Sequence, residues 1–359
     1  MPVRLKDIAQ DLNVSVITVS KALRGHTDIS EATRQRVLAR MKEVDYQPNM
    51  AARSLATGQS SILGLIVPDL VHPFFAELAK SLGGTLRKHA YGLILASSEE
   101  DPAIEQAEIR MMLARGVDAL LIASCQPGLQ ILDNVESHRT PCVLLDRAFP
   151  DFDSNFVGTD DYSGGLQATE HLIQIGRKRI AHLGGPNLSP AIDRLRGFEA
   201  AMRRHGLAIR DSFVLSASHV EESGDETGYA MMQKLLRGKP RPDAVFCYND
   251  ITAIGAMQAT LEAGLSVPKD IAFVGFGNVR YSKYLQIPLT SIDQHTARLG
   301  EAAAQMGLDL ARGKQHMPTS LKIEPALIVR ESTVATRSHK PKSTPAKQPS
   351  KRPTARKPR

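Results

Sequence analysis

Apolar residues near the N-terminus recur with the period of an amphipathic helix. Leu5, Ile8, Ala9 and Leu12 fall at i, i+3, i+4 and i+7, and this spacing places all four on one helix face. Asn13 tolerates the left-handed backbone of a tight turn, so we expect the helix to end there. The pattern therefore predicts a first helix followed by a sharp turn.

Two further helices are predicted before residue 46. Ser15 can cap a helix from Val16 to Leu23, and Ser30 can cap a third one. The side chains that we expect to face the first helix are Val14, Val19 and Leu23. Two helices joined by a short turn describe a helix-turn-helix, although small helical hairpins without a DNA role produce the same pattern.

The start of the second helix carries the candidate DNA-reading residues. In a helix-turn-helix this helix enters the major groove, and its first turns face the base edges. Branched apolar side chains suit thymine methyl groups, whereas Ser and Lys suit phosphates or base edges. The alternative is that the apolar pair belongs to the core. The candidates are Ser15, Val16, Ile17, Ser20 and Lys21.

A short segment after the third helix suggests a second DNA contact. Pro48 ends the third helix, and Asn49 can cap one or two helical turns over residues 50–56, which include Arg53. Seven residues are too few for an isolated helix, so we expect order only against a partner. Leu55 would be exposed there, either as a minor-groove wedge or as a linker leucine packed on the next domain.

From Ile62 onward, short apolar runs alternate with helical stretches, which predicts parallel sheets covered by helices on both faces. About 270 residues of this α/β pattern exceed one ordinary doubly wound sheet, so we expect two lobes. The predicted strands are Ile62–Val67, Leu93–Ala96, Ala119–Ala123, Val143–Leu145, Ile180–Leu183, Ala244–Cys247 and Ile271–Val274.

Ligands of such sheets bind beyond the carboxyl ends of the strands. Most residues that follow the predicted strands are aromatic, charged or amide-bearing, a set that suits the faces and hydroxyl groups of a sugar. Asp160, Asp161 and Asp250 are instead predicted to cap helices. The ligand-binding candidates from position alone are Asp69, Phe74, Phe75, Asp146, Arg147, Arg194, Asn249 and Asn278.

Charge is distributed unevenly along the 359 residues, which sum to a formal net charge of +7. Residues 1–60 carry net +3, residues 61–336 net −5, and residues 337–359 net +9. The last segment has no acidic residue and almost no apolar one, so we expect it to be disordered. It is either an inert tail or a source of nonspecific attraction to DNA phosphates.

Several function classes find no support in the sequence. No run of about 18 apolar residues predicts a membrane span, and the charged N-terminus does not resemble a signal peptide. Three separated cysteines fit a reducing cytoplasmic location. Metal-ligand spacings, a nucleophile elbow, a P-loop and a dinucleotide fingerprint are missing, so we expect neither a metal, nor a cofactor, nor an enzyme.

Several longer stretches of the chain follow one another in a recognisable order. They are LKDIAQDLNVSVITVSKAL, YQPNMAARSLATGQSSILGLIVPD, LDR at 145–147, GTDDYSGG at 158–165, RLRGF at 194–198, ND at 249–250 and PLTSIDQ at 288–294. Together, from residue 3 to about 331, they resemble the LacI/GalR family of bacterial transcription repressors.

The resemblance implies roles for individual residues. Val16, Ile17 and Lys21 would contact bases or phosphates, and Leu55 would be the intercalating lever of a hinge helix. Phe75 matches a position that can stack on the ligand. The positions that match effector contacts of the family are Asp146, Arg194, Asn249 and Gln294.

The resemblance also implies an organisation. Residues 1–48 would form the helix-turn-helix domain, 49–60 the hinge helix and linker, 61–336 a two-lobed periplasmic-binding-protein-like core for effector binding and dimerisation, and 337–359 the basic tail. The function implied is a repressor that binds a pseudo-palindromic operator as a homodimer. No leucine heptad follows residue 331, which favours a dimer over a tetramer.

The effector is expected to be a sugar or a sugar acid. Many family members carry Asp where this chain has Gly277, and the loss of that carboxylate removes repulsion toward anions, which suggests a negatively charged effector. The alternative function is a stand-alone sugar-binding protein of the periplasmic type, which would need a signal peptide and no helix-turn-helix.

Overall fold

The structure is a computed structural model. It describes residues 3–23, 25–46, 54, 58–128, 135, 138–149, 153–217, 224–314 and 317–334. Three predicted DNA contacts, Asn49, Arg53 and Leu55, lie outside the described residues, as does the basic segment 337–359. Within the described ranges, no helix combines the length and the apolar character that crossing a membrane requires.

The N-terminal part is a three-helix unit, as the apolar period predicts. Its helices are α1 (Leu5–Asp11), α2 (Val16–Leu23) and α3 (Glu31–Glu43). Ile8, Val19 and Val37 are fully buried at their junction. Leu23, expected to face α1, is 37 % exposed, and its neighbour Ala22 is buried instead. The helical register therefore turns Ala22, not Leu23, toward the core.

The ends of these helices follow the predicted turn chemistry. Asn13 has φ of 52°, the left-handed conformation that ends the turn after α1. The Ser15 hydroxyl accepts a hydrogen bond from the Thr18 N–H at 3.0 Å, and Ser30 accepts one from the Thr33 N–H at 3.3 Å. Arg40 ties α3 to α1 through Asp11 at 2.7 Å.

The rest of the chain alternates strands and helices. The helices are α4 (Pro73–Lys88), α5 (Pro102–Ala114), α6 (Asp161–Gln174), α7 (Ser189–Arg204), α8 (Gly224–Arg237), α9 (Asp250–Glu262) and α10 (Thr296–Ala311). The strands are β1 (Ile62–Val67), β2 (Gly92–Ser97), β3 (Ala119–Ile122), β4 (Cys142–Leu145), β5 (Phe156–Thr159), β6 (Ile180–Gly184), β7 (Val214–Ser216), β8 (Ala244–Cys247), β9 (Ala272–Phe276), β10 (Thr290–Asp293), β11 (Ser320–Ile323) and β12 (Ala326–Ile328).

These strands form two six-stranded sheets, one for each lobe. The first has the order β11-β5-β4-β3-β1-β2 and the second the order β12-β10-β9-β8-β6-β7. All pairings are parallel except that of β10 with β12. The two-lobed α/β prediction is confirmed, and each predicted strand is present within two residues of its expected ends. The apolar pattern did not predict β5, β7, β10, β11 and β12.

The chain passes between the lobes three times, which brings the carboxyl ends of both sheets together. The passages follow β5, β10 and β11. As a result, α10, which lies late in the sequence, packs in the first lobe, where Leu299, Ala303 and Leu308 join the core around β1 and β3. The second lobe has a core of its own on both faces of its sheet.

Candidate functional site

A cavity of about 400 Å³ lies where the carboxyl ends of the two sheets face each other. Its lining comes from both lobes, because residues that follow β1, β2 and β4 meet residues that follow β6, β8 and β10. Eight of the nine effector candidates line it. They are Asp69, Phe74, Phe75, Asp146, Arg147, Arg194, Asn249 and Gln294.

The ninth candidate, Asn278, does not line the cavity. Its side-chain amide donates a hydrogen bond to Asp293 at 3.2 Å, and its carbonyl oxygen accepts one from Arg330 at 2.6 Å. Asn278 also has φ of 47°. The Asn278 amide is thus bound at the end of β10 and by the segment after β12, and its contact with an effector stays a prediction.

Arg147 enters the cavity paired with a carboxylate. Its two terminal nitrogens donate to the two oxygens of Glu100 at 2.8 and 2.5 Å. The side chains are 8 % and 16 % exposed. Burial lowers the pKa of Arg147, but the hydrogen bonds to Glu100 and the nearby negative charges together outweigh this effect, so the net pKa lies above the ordinary value. Sequence position predicted Arg147 but not Glu100, which also lines the cavity.

Arg194 is held in a second buried pair. Its Nε donates to Asp161 at 2.8 Å, and its NH1 donates to the Tyr248 carbonyl at 2.8 Å. The guanidinium also lies 3.7 Å from the ring centre of Phe276, a cation–π distance. Burial raises the pKa of Asp161 to about 7, and the Arg194 charge opposes that rise.

Glycines bring the Asp161 and Arg194 side chains together. A Cβ on Gly165 would lie 2.3 Å from the Arg194 carbonyl oxygen, and a Cβ on Gly197 would lie 2.3 Å from the Tyr162 carbonyl oxygen. Because neither glycine has a side chain, the start of α6 packs in backbone contact with the part of α7 around Arg194 and Gly197. The expectation that Asp161 caps α6 is wrong: Asp160 caps it by accepting from the Ser163 N–H at 2.9 Å.

Asp146 is a cavity carboxylate whose side chain forms no hydrogen bond within the described residues. It has φ of 60°, an uncommon backbone conformation outside glycine. Burial raises the pKa of Asp146, while the charges of Arg194 and Arg147 lower it. In the described part of the chain, both guanidinium groups direct their close ion pairs to other carboxylates. A ligand hydroxyl could therefore donate to Asp146.

Other polar candidates stabilise local structure as well as lining the cavity. Asp69 accepts from the Val71 N–H at 2.6 Å, Asn249 accepts from the Thr252 N–H at 2.8 Å, and Gln294 donates to Thr159 at 3.2 Å. Asn249 is thus the cap of α9, and the expectation that Asp250 fills this role is wrong.

Asp250 instead anchors a buried network beneath the cavity. Its fully buried carboxylate accepts from Ser291, Ser282 and the Val279 N–H at 2.5, 2.7 and 2.9 Å. Burial raises its pKa, and these hydrogen bonds oppose the rise. The network links the start of α9 to β10 and to the loop that follows β9.

Aromatic side chains complete the lining. Phe74 and Phe75 pack edge to face with ring centres 5.0 Å apart, and Tyr248 and Phe276 approach from the second lobe. His72 accepts from the Phe74 N–H through Nδ1, so its Nε2 carries the proton. Burial lowers the pKa of His72 to about 4, which keeps the ring neutral at pH 7.

The candidate DNA-reading surface lies on α2. Val16 and Ile17 are 44 % and 68 % exposed, unusual values for branched apolar side chains. Ser15 is exposed at the start of the helix, Ser20 is half-buried, and Lys21 forms an ion pair with Asp28. The alternative that Val16 and Ile17 belong to the core is wrong, because Val19 and Ala22 fill it.

Comparisons with known proteins cover both parts of the chain. Residues 4–49 match the model of the bacterial regulatory proteins of the lacI family, and residues 60–331 match that of the periplasmic binding proteins and sugar binding domain of the LacI family. The chain belongs to the LacI family. This membership contradicts the alternative of a stand-alone sugar-binding protein, since the DNA-binding part of the family is present.

Individual relatives of this LacI-family chain are repressors. The HTH-type transcriptional repressor PurR of Klebsiella pneumoniae (strain 342) is 35 % identical over 91 % of this chain and 96 % of its own length. PurR of Escherichia coli O139:H28 is 34 % identical over the same shares. These comparisons confirm a regulator of transcription, a member of a family that binds DNA and small effectors, and not an enzyme.

Solved structures show the same architecture. The lac repressor dimer bound to operator and the anti-inducer ONPF is 26 % identical, with a TM-score of 0.82 over 93 % of this chain and 100 % of that one. The transcriptional regulator CelR in complex with cellobiose is 28 % identical, with a TM-score of 0.71 over 92 % and 99 %.

Proposed function

We propose that this chain represses transcription in the cytoplasm by binding a pseudo-palindromic operator as a homodimer, and that a small effector in the interlobe cavity alters its DNA affinity. The observation that carries this proposal is the shared lining of the cavity: Arg147 comes from the first lobe and Arg194 from the second. A ligand that contacts both lobes favours one lobe arrangement over another, and a difference of this kind is what couples two sites.

The DNA contacts belong to the same proposal. Ser15, Val16, Ile17, Ser20 and Lys21 would contact the major groove, and Asn49, Arg53 and Leu55 would act in the hinge segment. The division into residues 1–48, 49–60, 61–336 and 337–359 is proposed with them. A dimer presents two copies of α2, which is why we expect a site with two-fold symmetry.

For the effector we propose a carbohydrate. The cavity combines aromatic faces, which suit the C–H faces of a sugar ring, with carboxylates that accept hydrogen bonds from hydroxyl groups. A sugar acid is the less favoured subclass. Gly277 suggested an anion, but the carboxylates of Asp69, Glu100 and Asp146 line the cavity. Three carboxylates against two guanidinium groups repel a negative ligand.

A DNA selection with the purified full chain tests the proposal. Random duplexes are enriched without ligand and again with uncharged sugars, sugar acids and purine bases. We expect a two-fold symmetric site and a change in its occupancy with an uncharged sugar. Enrichment of an asymmetric site, or a protein that mass photometry shows to be monomeric on that site, would contradict the dimer. A response to purine bases alone would contradict the carbohydrate.

A further inference from the structure

Both guanidinium groups of the cavity are already bound by carboxylates of the chain itself. Arg147 is paired with Glu100 and Arg194 with Asp161, and all four side chains are no more than 16 % exposed. A planar guanidinium is the side chain that best recognises a carboxylate, because it offers two parallel N–H donors. Whether the cavity can bind an anionic ligand therefore depends on which carboxylate is bound to each guanidinium group.

The two pairs differ in how they meet the cavity. Asp161 belongs to the helix junction behind Arg194, but Glu100 lines the cavity beside Arg147. Glu100 also satisfies both terminal nitrogens of Arg147, in the two-pronged geometry that a ligand carboxylate would use. Glu100 thus takes the place that the carboxylate of a sugar acid would occupy.

The turn after β2 places the side chains of Glu99 and Glu100 in different environments. Glu99 and Glu100 both have left-handed φ values, 52° and 56°, in the turn that follows β2. Two successive left-handed residues outside glycine carry strain. The Glu99 side chain is exposed, whereas that of Glu100 is nearly buried against Arg147. This turn delivers one of two adjacent carboxylates into the cavity and leaves the other in solvent.

We propose that Glu100 is a specificity-determining residue: by occupying the guanidinium of Arg147, it excludes effectors that carry a carboxylate and leaves Asp146 to accept the hydroxyl groups of an uncharged polyol. This inference rests on the proposed effector site. It goes beyond that proposal because it assigns the exclusion of anions to one side chain.

An anionic ligand is disfavoured because it would displace the Glu100 carboxylate from Arg147. A ligand carboxylate that bound Arg147 would leave Glu100 without its partner in a nearly buried position, and a buried charge that loses its partner is strongly unfavourable. The ligand would gain only the contact that Glu100 lost. An uncharged ligand leaves the Arg147–Glu100 pair intact, so it meets no such penalty.

Acetate is the first probe, because it carries the carboxylate that Glu100→Ala removes. Thermal unfolding of the full chain is followed at pH 7 in acetate and in chloride of equal ionic strength. We expect acetate to raise the Tm of Glu100→Ala by several degrees and to leave the wild type unchanged. Glu99→Ala is the matched control, since it removes the adjacent exposed carboxylate and should not respond.

Two further variants keep this test decisive. The double variant Glu100→Ala/Arg147→Ala should lose the acetate response, which would place the bound acetate on Arg147. Glu100→Gln keeps the shape of the side chain and provides the same comparison if Glu100→Ala does not fold. Absence of an acetate response in every folded Glu100 variant would overturn the proposal.

Matched sugars then test specificity by calorimetry. Glucose is compared with glucuronate, and galactose with galacturonate, on the wild type and Glu100→Gln. For a pair that binds, we expect Glu100→Gln to gain at least tenfold in affinity for the acid and to change less than threefold for the neutral sugar. Tighter binding of the acid to the wild type would overturn the inference. If no sugar binds but acetate stabilises Glu100→Ala, the carbohydrate proposal fails and the exclusion by Glu100 stands.

Discussion

The helix α2, called the reading helix below, and the interlobe cavity differ in which kind of side chain they expose and which kind they bury. On α2, apolar Val16 and Ile17 are left in water, whereas in the cavity Arg147 and Arg194 are buried and each is paired. An exposed apolar side chain loses its contact with water only when a partner such as DNA covers it, so it contributes to the free energy of binding. A buried ion pair contributes to the free energy of folding even without a ligand, because the loss of one partner leaves the other charge buried without solvent. Substitutions in the two regions should therefore change different measurements.

The largest effect is expected from Arg194→Met. This change leaves the buried Asp161 carboxylate without its partner while keeping an apolar side chain of similar length over Phe276. We expect the free energy of unfolding to fall by about 3–5 kcal/mol. The measurement is urea unfolding of the full chain, followed by far-UV circular dichroism at pH 7.

Arg196→Met supplies the matched control on the same helix. Arg196 pairs with Asp193, but its side chain is 67 % exposed, so its loss should cost less than about 1 kcal/mol. Equal destabilisation by the two variants would show that burial of the Arg194 pair is not what stabilises the second lobe.

The sequence predicted the reading helix more completely than the cavity. The turn at Asn13, the cap at Ser15 and the exposed pair after it depend on residues only a few positions apart, and local spacing reveals such features. The cavity pairs join residues 33 and 47 positions apart. Position after a strand identified Arg147 and Arg194, but it could not identify Glu100 and Asp161 as their partners.

The same limit explains the errors at helix starts and in the sheets. Asn249 and Asp250 are both able to cap a helix, and only distant partners such as Ser282 and Ser291 show that the Asp250 carboxylate accepts hydrogen bonds elsewhere. Short strands such as β7 and β12, of three residues each, contain too few residues for an alternating pattern to be visible.

His182, a buried and uncharged side chain of the second lobe, gives a second test there. His182 is fully buried between Phe198 and Phe246, and its Nδ1 lies 3.1 Å from the Phe246 carbonyl oxygen. Burial lowers the pKa of His182 from 6.5 to about 4. Because the folded-state pKa is the lower one, the folded state loses stability as the pH falls from about 6.5 toward 4. The full loss from this group is roughly 3 kcal/mol.

His182→Phe should remove this share of the pH dependence. At pH 7 the variant lacks one hydrogen bond, which costs about 1 kcal/mol, so the wild type should be more stable. Near pH 4.5 His182 is protonated in the unfolded state but still largely neutral in the folded state, so the wild type loses stability and the order should reverse. Urea unfolding of both proteins across this range is the measurement. Parallel stability curves would contradict the burial of a neutral His182.

On the reading helix, Ile17→Ala is expected to change binding without changing stability. Ile17 is 68 % exposed, so the unfolding free energy should shift by less than about 0.5 kcal/mol. Loss of its contact with DNA should weaken operator binding by about 1–2 kcal/mol, roughly 5- to 30-fold. Fluorescence anisotropy on the selected site provides the affinity.

Val19→Ala is the control for that comparison. Val19 lies on the same helix but is fully buried, so its truncation should destabilise the three-helix unit by about 2 kcal/mol. If Ile17→Ala unfolded the unit as readily as Val19→Ala, Ile17 would belong to the core rather than to the DNA-reading surface.

The smallest effect is expected from Lys21→Gln, and its dependence on salt distinguishes charge from apolar contact on the same helix. Lys21 is partly exposed and paired with Asp28, so its charge is available to a phosphate only in competition with that carboxylate. Loss of one phosphate contact should lower the slope of log affinity against log salt by about 0.9. Asp28→Asn should strengthen DNA binding, because it removes the competing carboxylate and a repulsive charge.

The salt dependence also separates the two side chains. The loss of DNA affinity in Ile17→Ala should persist from low to high salt, while the loss of affinity in Lys21→Gln should disappear. An Ile17 deficit that also vanished at high salt would mean that α2 attracts DNA by charge rather than reading it by apolar contact.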